Sequence, residues 1–106
     1  MTYEQERALR ISGTVIDQMG GSARLKCMVG ANNFFQVNDE LGGASFRFKG
    51  SRKSNSIKVT LMPSDTYKVD FYRIGKKFKK ISTHEGVYCD MLKPLFEAQT
   101  GLYLSL

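Results

Sequence analysis

The chain contains few of the residues that usually carry chemistry. Among its 106 residues there is no tryptophan, one histidine, His84, and two cysteines, Cys27 and Cys89. Zinc sites draw their ligands mainly from Cys and His, and these three residues match none of the usual ligand spacings. The acids are scattered, with Asp39-Glu40 the one adjacent pair, so a two-metal site has little to build on. We therefore expect no metal, no cofactor and no catalytic residue, and predict that the protein is not an enzyme.

The isolated cysteines and the histidine are interpreted as structural residues. Cys27 and Cys89 form no paired-thiol motif, so in a reducing compartment they are expected to be two buried thiols. His84 precedes Glu85 at the predicted start of the last helix, where a surface or capping histidine is a simpler interpretation than a general base. No serine lies in a nucleophile-elbow pattern, and no glycine loop matches a phosphate-binding motif.

Long hydrophobic runs are also missing. No apolar segment approaches the roughly 20 residues that span a bilayer, and residues 1–7 lack the apolar core of a signal peptide. We therefore expect a cytoplasmic protein with no membrane partner. Its content of 42% hydrophobic and 25% charged residues is ordinary for a globular protein. One folded domain over residues 1–106 is expected.

Helical spacing of apolar residues occurs at both ends of the chain. It predicts a first helix over 3–19, which ends at Gly20-Gly21 because glycine adopts the left-handed conformation that stops a helix. A second helix is expected within 84–100. It is either kinked near Lys93 or begins at Asp90, which would place Pro94 near the tolerant first turn.

Between the helices the hydrophobic period changes to two. Alternation from Ala23 to Ser82 with short loops predicts an antiparallel sheet of about five strands, the first holding Leu25, Cys27 and Val29. The fold class is therefore α+β, with both helices on one sheet face. Phe48, Val59, Val69 and Phe71 are expected under the helices, as are Phe35 and Val37, and a weaker last strand holds Phe78 and Ile81.

Positive charge is concentrated in the segment 44–80. This segment holds eleven basic residues against two acids, Asp65 and Asp70, whereas the remaining five bases are outnumbered by eight acids. Such asymmetry creates a field that attracts polyanions, nucleic acid above all. The alternative is that exposed lysines on strands only discourage edge aggregation.

The polar side of the predicted sheet is the candidate nucleic-acid interface. Its basic residues would hold phosphates, and Tyr72, with Phe34 at a strand start, would offer bases a stacking surface. The loops 50–54 and 75–80 would extend the surface with flexible cations. The candidate binding residues are Arg24, Lys26, Arg47, Lys49, Arg52, Lys53, Lys58, Lys68, Tyr72, Arg73, Lys76, Lys77, Lys79 and Lys80.

Two functions from different classes remain open. One is a protein that binds DNA or RNA with little sequence preference, as single strands or non-specifically. The other is an interaction module that docks on an acidic protein surface. Steep salt dependence of oligonucleotide binding would separate them, because only the first requires it.

The C-terminal tail suggests a second copy as a partner. Leu102, Leu104 and Leu106 lie on one side of an extended segment and are too apolar to remain in water. They dock either on the body of their own chain or on a second copy. The second arrangement would give a twofold homodimer, the commonest oligomer.

Three segments resemble small uncharacterised proteins of phages and prophages. They are QMGG at 18–21, MVGANNF at 28–34 and TGLYLSL at 100–106. The resemblance implies a phage origin and action in the cytoplasm of a bacterial host. With such an origin, the interaction module would be a regulator, a host-takeover factor or an inhibitor of a defence system. That group has no assigned function, so the resemblance transfers no catalytic or binding residue.

Overall fold

Helices flank a continuous run of strands in the computed structural model, which describes residues 3–37 and 41–102. The order confirms the predicted α+β class, with an N-terminal helix, a five-stranded antiparallel sheet and a C-terminal helix. The elements are α1 (Tyr3–Gln18), α2 (Ser22–Val29), β1 (Asn32–Val37), β2 (Gly43–Arg47), β3 (Ser56–Leu61), β4 (Tyr67–Ile74), β5 (Phe78–Val87), a 3-10 turn (Cys89–Met91) and α3 (Leu92–Thr100).

The segment predicted as the first strand is helix α2, and that prediction was wrong. Leu25 and Val29 are both buried, four residues apart, and Met28 packs partly against the same core, which is a helical spacing. Gly30 ends the helix in the left-handed conformation, and its N–H donates to the Lys26 carbonyl at 3.1 Å. An eight-residue helix is marginal alone, so burial of this apolar stripe must stabilise it.

The five strands form a meander in the order β1-β2-β3-β4-β5, with each strand antiparallel to the next. In the pairing of β3 with β4, Val59 lies opposite Val69, and Ile57 lies opposite Phe71. These residues face the helices, so Lys58 and its partner Asp70 face the other way. We call that second side the outer face. The predicted register of the two central strands is confirmed.

The core lies between the sheet and the helices. Phe96 of α3 is fully buried, and its ring centroid lies 5.0 Å from that of Phe48 and 6.3 Å from that of Phe46. Val15 of α1 and Met19, which directly follows this helix, complete the core. The four side chains predicted to lie under the helices, Phe48, Val59, Val69 and Phe71, are all at most 2% exposed.

Strand β5 is longer than predicted and includes His84. The histidine lies in mid-strand opposite Val69, packs edge-on against Phe71 and shares a 3.2 Å hydrogen bond with Ser82, so its predicted place at a helix start was wrong. Helix α3 begins only at Leu92, after the 3-10 turn. Pro94 therefore lies in the first turn of the helix, where its missing N–H costs no helical hydrogen bond. This agrees with the predicted alternative that places Pro94 near the first turn, although α3 begins two residues after Asp90.

Several expected burials did not occur. Cys27 and Cys89 are both exposed, because helix α2 turns Cys27 away from its apolar stripe and Cys89 lies in the 3-10 turn. Phe35, Phe78 and Ile81 are exposed as well, while Val37 is buried. β1 and β5 are the outermost strands of the described sheet, where a neighbour covers only one side.

The start of the tail packs on its own chain. Leu102 is partly buried against the core, and its Cδ2 lies 3.2 Å from the point where a Cβ on Gly50 would stand. Leu104 and Leu106 lie outside the described residues. The homodimer through the tail stays a prediction.

Candidate nucleic-acid interface

One end of the sheet gathers most of the positive charge. In an antiparallel meander alternate connections lie at the same end, so the β2–β3 loop (48–55) and the β4–β5 turn (75–77) are neighbours. We call this the basic end. The stretches 47–53 and 73–80 that form it contain no acid. Nine of the eleven basic residues of segment 44–80 lie there: Arg47, Lys49, Arg52, Lys53, Arg73, Lys76, Lys77, Lys79 and Lys80.

Hydrogen bonds hold the two connections together. The Asn55 backbone N–H donates to the Tyr72 carbonyl at 2.9 Å, and the Asn55 side chain bonds both backbone groups of Ile74. The Arg73 guanidinium donates to the Ser51 carbonyl at 3.2 Å. These hydrogen bonds therefore fix the position of the β2–β3 loop relative to the end of β4 that leads into the turn.

Helix α2 also ends at this side of the sheet. The Lys49 N–H donates to the Val29 carbonyl at 2.8 Å, and the alkyl part of the Lys49 side chain lies along Gly30, 3.4 Å from where a Cβ would stand. The Lys49 backbone and the alkyl part of its side chain therefore both contact the C-terminal end of α2. This contact anchors Lys49 on the rim of the basic end.

The remaining candidates do not form one continuous surface with these nine. Arg24 and Lys26 belong to helix α2, so their predicted place on the sheet was wrong; the Lys26 ammonium lies over the Phe34 ring, 5.7 Å from its centroid. Lys58 and Lys68 do face outward as predicted, but Lys68 lies opposite Thr60, toward the far end of the sheet. Among the nine residues of the basic end, Arg73 has the same strand parity as Val69 and Phe71 and therefore lies on the helix side of that end and not on the outer face.

The middle of the outer face is less positive than its sequence pattern suggests. Asp70 lies there and is only 3% exposed. It accepts a 2.7 Å hydrogen bond from the Thr83 hydroxyl, and the Lys80 ammonium lies 3.5 Å from the same carboxylate oxygen. One buried carboxylate thus offsets part of the lysine charge around it, which leaves the basic end as the stronger attractor for anions.

The two aromatic residues expected to stack on bases are engaged within the protein. The Tyr72 ring packs against Phe78 with centroids 4.9 Å apart, and the Lys80 ammonium lies 5.8 Å from the Tyr72 centroid. Phe34 turns inward and packs on Phe46 at 5.4 Å.

The neighbouring residue Phe35 takes the exposed position, at 64% of its full exposure. Alternation along a strand allows only one of two adjacent phenylalanines to face inward. Asn33, with its positive φ of 52°, precedes the pair at an irregularity in the pairing of β1 and β2. The adjacent phenylalanines are evident in the sequence, but no sequence signal indicates which ring faces outward.

Within the described part of the chain, no group of three or more His, Cys, Asp or Glu side chains is placed to hold a metal ion. No helix there is long and apolar enough to cross a membrane. No family model, curated protein or solved structure matches the chain.

Proposed function

We propose that the chain is a non-enzymatic protein that binds nucleic acid with little sequence preference through the basic end and the adjoining outer face. The observation that supports this most is the convergence of nine basic side chains on one end of the sheet, from two stretches that contain no acid. A sheet selected for stability alone would intersperse acids, because like charges at close range are destabilising.

Phosphate neutralisation would supply most of the affinity. Each Lys or Arg that contacts a phosphate releases condensed counterions, which makes binding strongly dependent on salt. Lys76 and Lys77 lie in an exposed turn and can adjust to the spacing of a flexible backbone. The hydrogen bonds of Asn55 keep this turn beside Arg52 and Lys53, so one strand could be contacted from two loops at once.

Binding of a labelled oligonucleotide by fluorescence anisotropy tests the proposal. If four to six phosphates are contacted, the logarithm of the association constant should fall with the logarithm of salt concentration at a slope of about −3 to −4 for single strands. The double variant Lys76→Glu/Lys77→Glu should lose most of this binding and flatten the slope. The turn is exposed, so the fold should be retained.

A matched control is Arg10→Glu/Lys93→Glu. Arg10 lies in α1 and Lys93 in α3, outside the basic end, and the two exchanges alter the net charge by the same amount. The control should keep the wild-type slope. Equal losses in both variants would mean that only net charge matters, and a slope near zero for the wild type would contradict nucleic-acid binding altogether.

Docking on an acidic protein is the second candidate function. Tyr88 and Met91 are exposed by 60% and 46%, and both lie around the 3-10 turn that follows the far end of β5. Exposed apolar groups of this kind are common at protein interfaces. This candidate gains if oligonucleotides do not bind at low salt. A phage origin and a homodimer are compatible with both functions and remain proposals.

A further inference from the structure

A hollow of about 370 Å³ opens on the outer face beside the basic end. Asn33 and Phe35 of β1 form one wall, and Ile74 of β4 lies on the opposite side. Ser45 of β2 and Ser56 of β3 lie between them, and Arg47 of β2 is paired directly with Ser56. The floor of the hollow is low because the Ser45 and Ser56 side chains are smaller than those of Phe35, Arg47 and Ile74 around them.

We propose that this hollow accepts an unpaired base of a single-stranded nucleic acid, with the Phe35 ring stacked on the base and Arg47 at a neighbouring phosphate. The inference rests on the proposed function and names the form of nucleic acid that the site would take. The volume is at the small end of the range of about 300–1,000 Å³ for ligand sites, which suits one planar base better than a longer ligand.

The composition of the hollow matches both parts of a nucleotide. Phe35 supplies a π-face, and the Ser45 hydroxyl can donate or accept a hydrogen bond. The Ser56 hydroxyl donates to the Phe46 carbonyl at 3.5 Å and can still accept one. The Arg47 side chain is exposed, and no hydrogen bond or ion pair joins its guanidinium to another described residue. Its guanidinium is therefore available to an anion. The other cations of the basic end, to which Arg47 belongs, could contact the next phosphates of the same strand.

Phe35 has no role in the core that would explain its presence. Phe34 already supplies the aromatic contact from β1 to Phe46, and Phe35 faces the hollow. A ring in this position can reach only bases that have left the duplex stack, because paired bases cover each other's faces. The site therefore predicts a preference for single strands over duplexes, which charge alone would not give.

The experiment compares three labelled polymers of equal length: oligothymidylate, the same backbone without bases, and a duplex. The wild type should bind oligothymidylate more tightly than the abasic strand by roughly five- to a hundredfold, the usual effect of stacking one base. Phe35→Ala should abolish this difference and leave the salt slope unchanged, because the phosphate contacts remain. Phe35→Tyr should retain the difference.

Tyr88→Ala is the matched control, since it removes an equally exposed ring outside the hollow. It should change none of the three affinities. Equal affinity of the wild type for the abasic strand and oligothymidylate, with a steep salt slope, would overturn the base site while the proposed function stands. Failure of all three polymers to bind at low salt would overturn both and would leave the hollow as a protein-docking surface.

Discussion

Asn55 and Ile74 are joined by two hydrogen bonds through a single side-chain amide. The Asn55 Nδ2 donates to the Ile74 carbonyl, the Ile74 N–H donates to the Asn55 Oδ1, and both distances are 2.7 Å. The backbone pairing of β3 with β4 ends at Ser56 and Tyr72. Beyond this pair, the Asn55 side-chain amide takes the place of a β3 backbone group and bonds the backbone of Ile74, the last residue of β4. The hydrogen-bonded region therefore extends toward the turn that carries Lys76 and Lys77.

Replacement of Asn55 by alanine should destabilise the fold and loosen the basic end. Two hydrogen bonds are lost and both backbone groups of Ile74 lose their partner, which should lower the free energy of unfolding by about 2–3 kcal/mol. Urea denaturation measures the change. Asn55→Asp can still accept from the Ile74 N–H but cannot donate, so it should also be less stable than the wild type. An alanine variant as stable as the wild type would show that the amide does not support this end.

Adjacent residues of β4 should respond very differently to truncation. Phe71 is 1% exposed and packs against Phe96 and His84, so Phe71→Ala should cost about 3–5 kcal/mol. Such a loss is a large part of the roughly 5–15 kcal/mol that stabilises a small domain. Tyr72 is half-buried on the outer face, and Tyr72→Ala should cost much less. Thermal unfolding followed by circular dichroism compares the two, and the reverse order would contradict the strand register.

The sheet was predictable where alternation and burial agree. In β3 and β4 apolar residues alternate with polar ones, and Ile57, Val59, Tyr67, Val69 and Phe71 are buried, so the pattern indicates which side faces the helices. Leu25, Cys27 and Val29 satisfied the same alternation by coincidence, because Leu25 and Val29 are also one helical turn apart. A short segment with so few apolar residues cannot distinguish the two periods. In the structure Met28 is partly buried and Cys27 is exposed, which is the helical pattern.

The candidate site was predictable in charge but not in shape. The bases of segment 44–80 were evident from composition, whereas their collection at one end depends on which connections become neighbours in the meander. The role of Asn55 left no sequence signal, since a polar residue before a strand is ordinary. Asp70 was evident as an acid, but its burial beneath Thr83 and Lys80 depends on the pairing of β4 with β5.

The Tyr67 phenol should make stability fall at alkaline pH. Burial raises the pKa of this phenol above its ordinary value of 10.0, with the nearby Cys89 contributing, although a 3.1 Å hydrogen bond to the Gln18 side chain opposes the shift. A raised pKa in the folded state means that folding favours the neutral phenol. The neutral phenol contributes fully to the free energy of unfolding below the pKa that it has in the unfolded chain. This contribution is lost as pH rises through the pKa of the folded state.

Urea denaturation from about pH 8 to about pH 11 measures this dependence. The Tyr67→Phe variant should lose the Gln18 hydrogen bond at every pH but should show a shallower decline above about pH 10. Tyr88→Phe, which removes an exposed phenol, should decline like the wild type. If Tyr67→Phe declines as steeply as the wild type, other groups cause the alkaline loss.

Removal of the Asp70 charge should shift stability and binding in opposite directions. Asp70→Asn keeps an oxygen that can accept from the Thr83 hydroxyl but loses the attraction to the Lys80 ammonium. A buried acceptor that loses its charged partner should reduce the free energy of unfolding by about 1–3 kcal/mol. The outer face also gains one unit of positive charge and frees Lys80, so affinity for a single-stranded oligonucleotide at low salt should rise by roughly threefold.

The matched control for this change is Asp65→Asn. Asp65 lies in the exposed β3–β4 connection at the far end of the sheet, and its positive φ of 65° is one that asparagine also tolerates. The same charge is removed, but no carboxylate–Lys80 contact is lost, so stability should stay within about 0.5 kcal/mol of the wild type. Affinity should change less than in Asp70→Asn, because screening weakens a charge at that distance. Equal gains in affinity from both variants would show that polyanions respond to net charge and not to the field of this face.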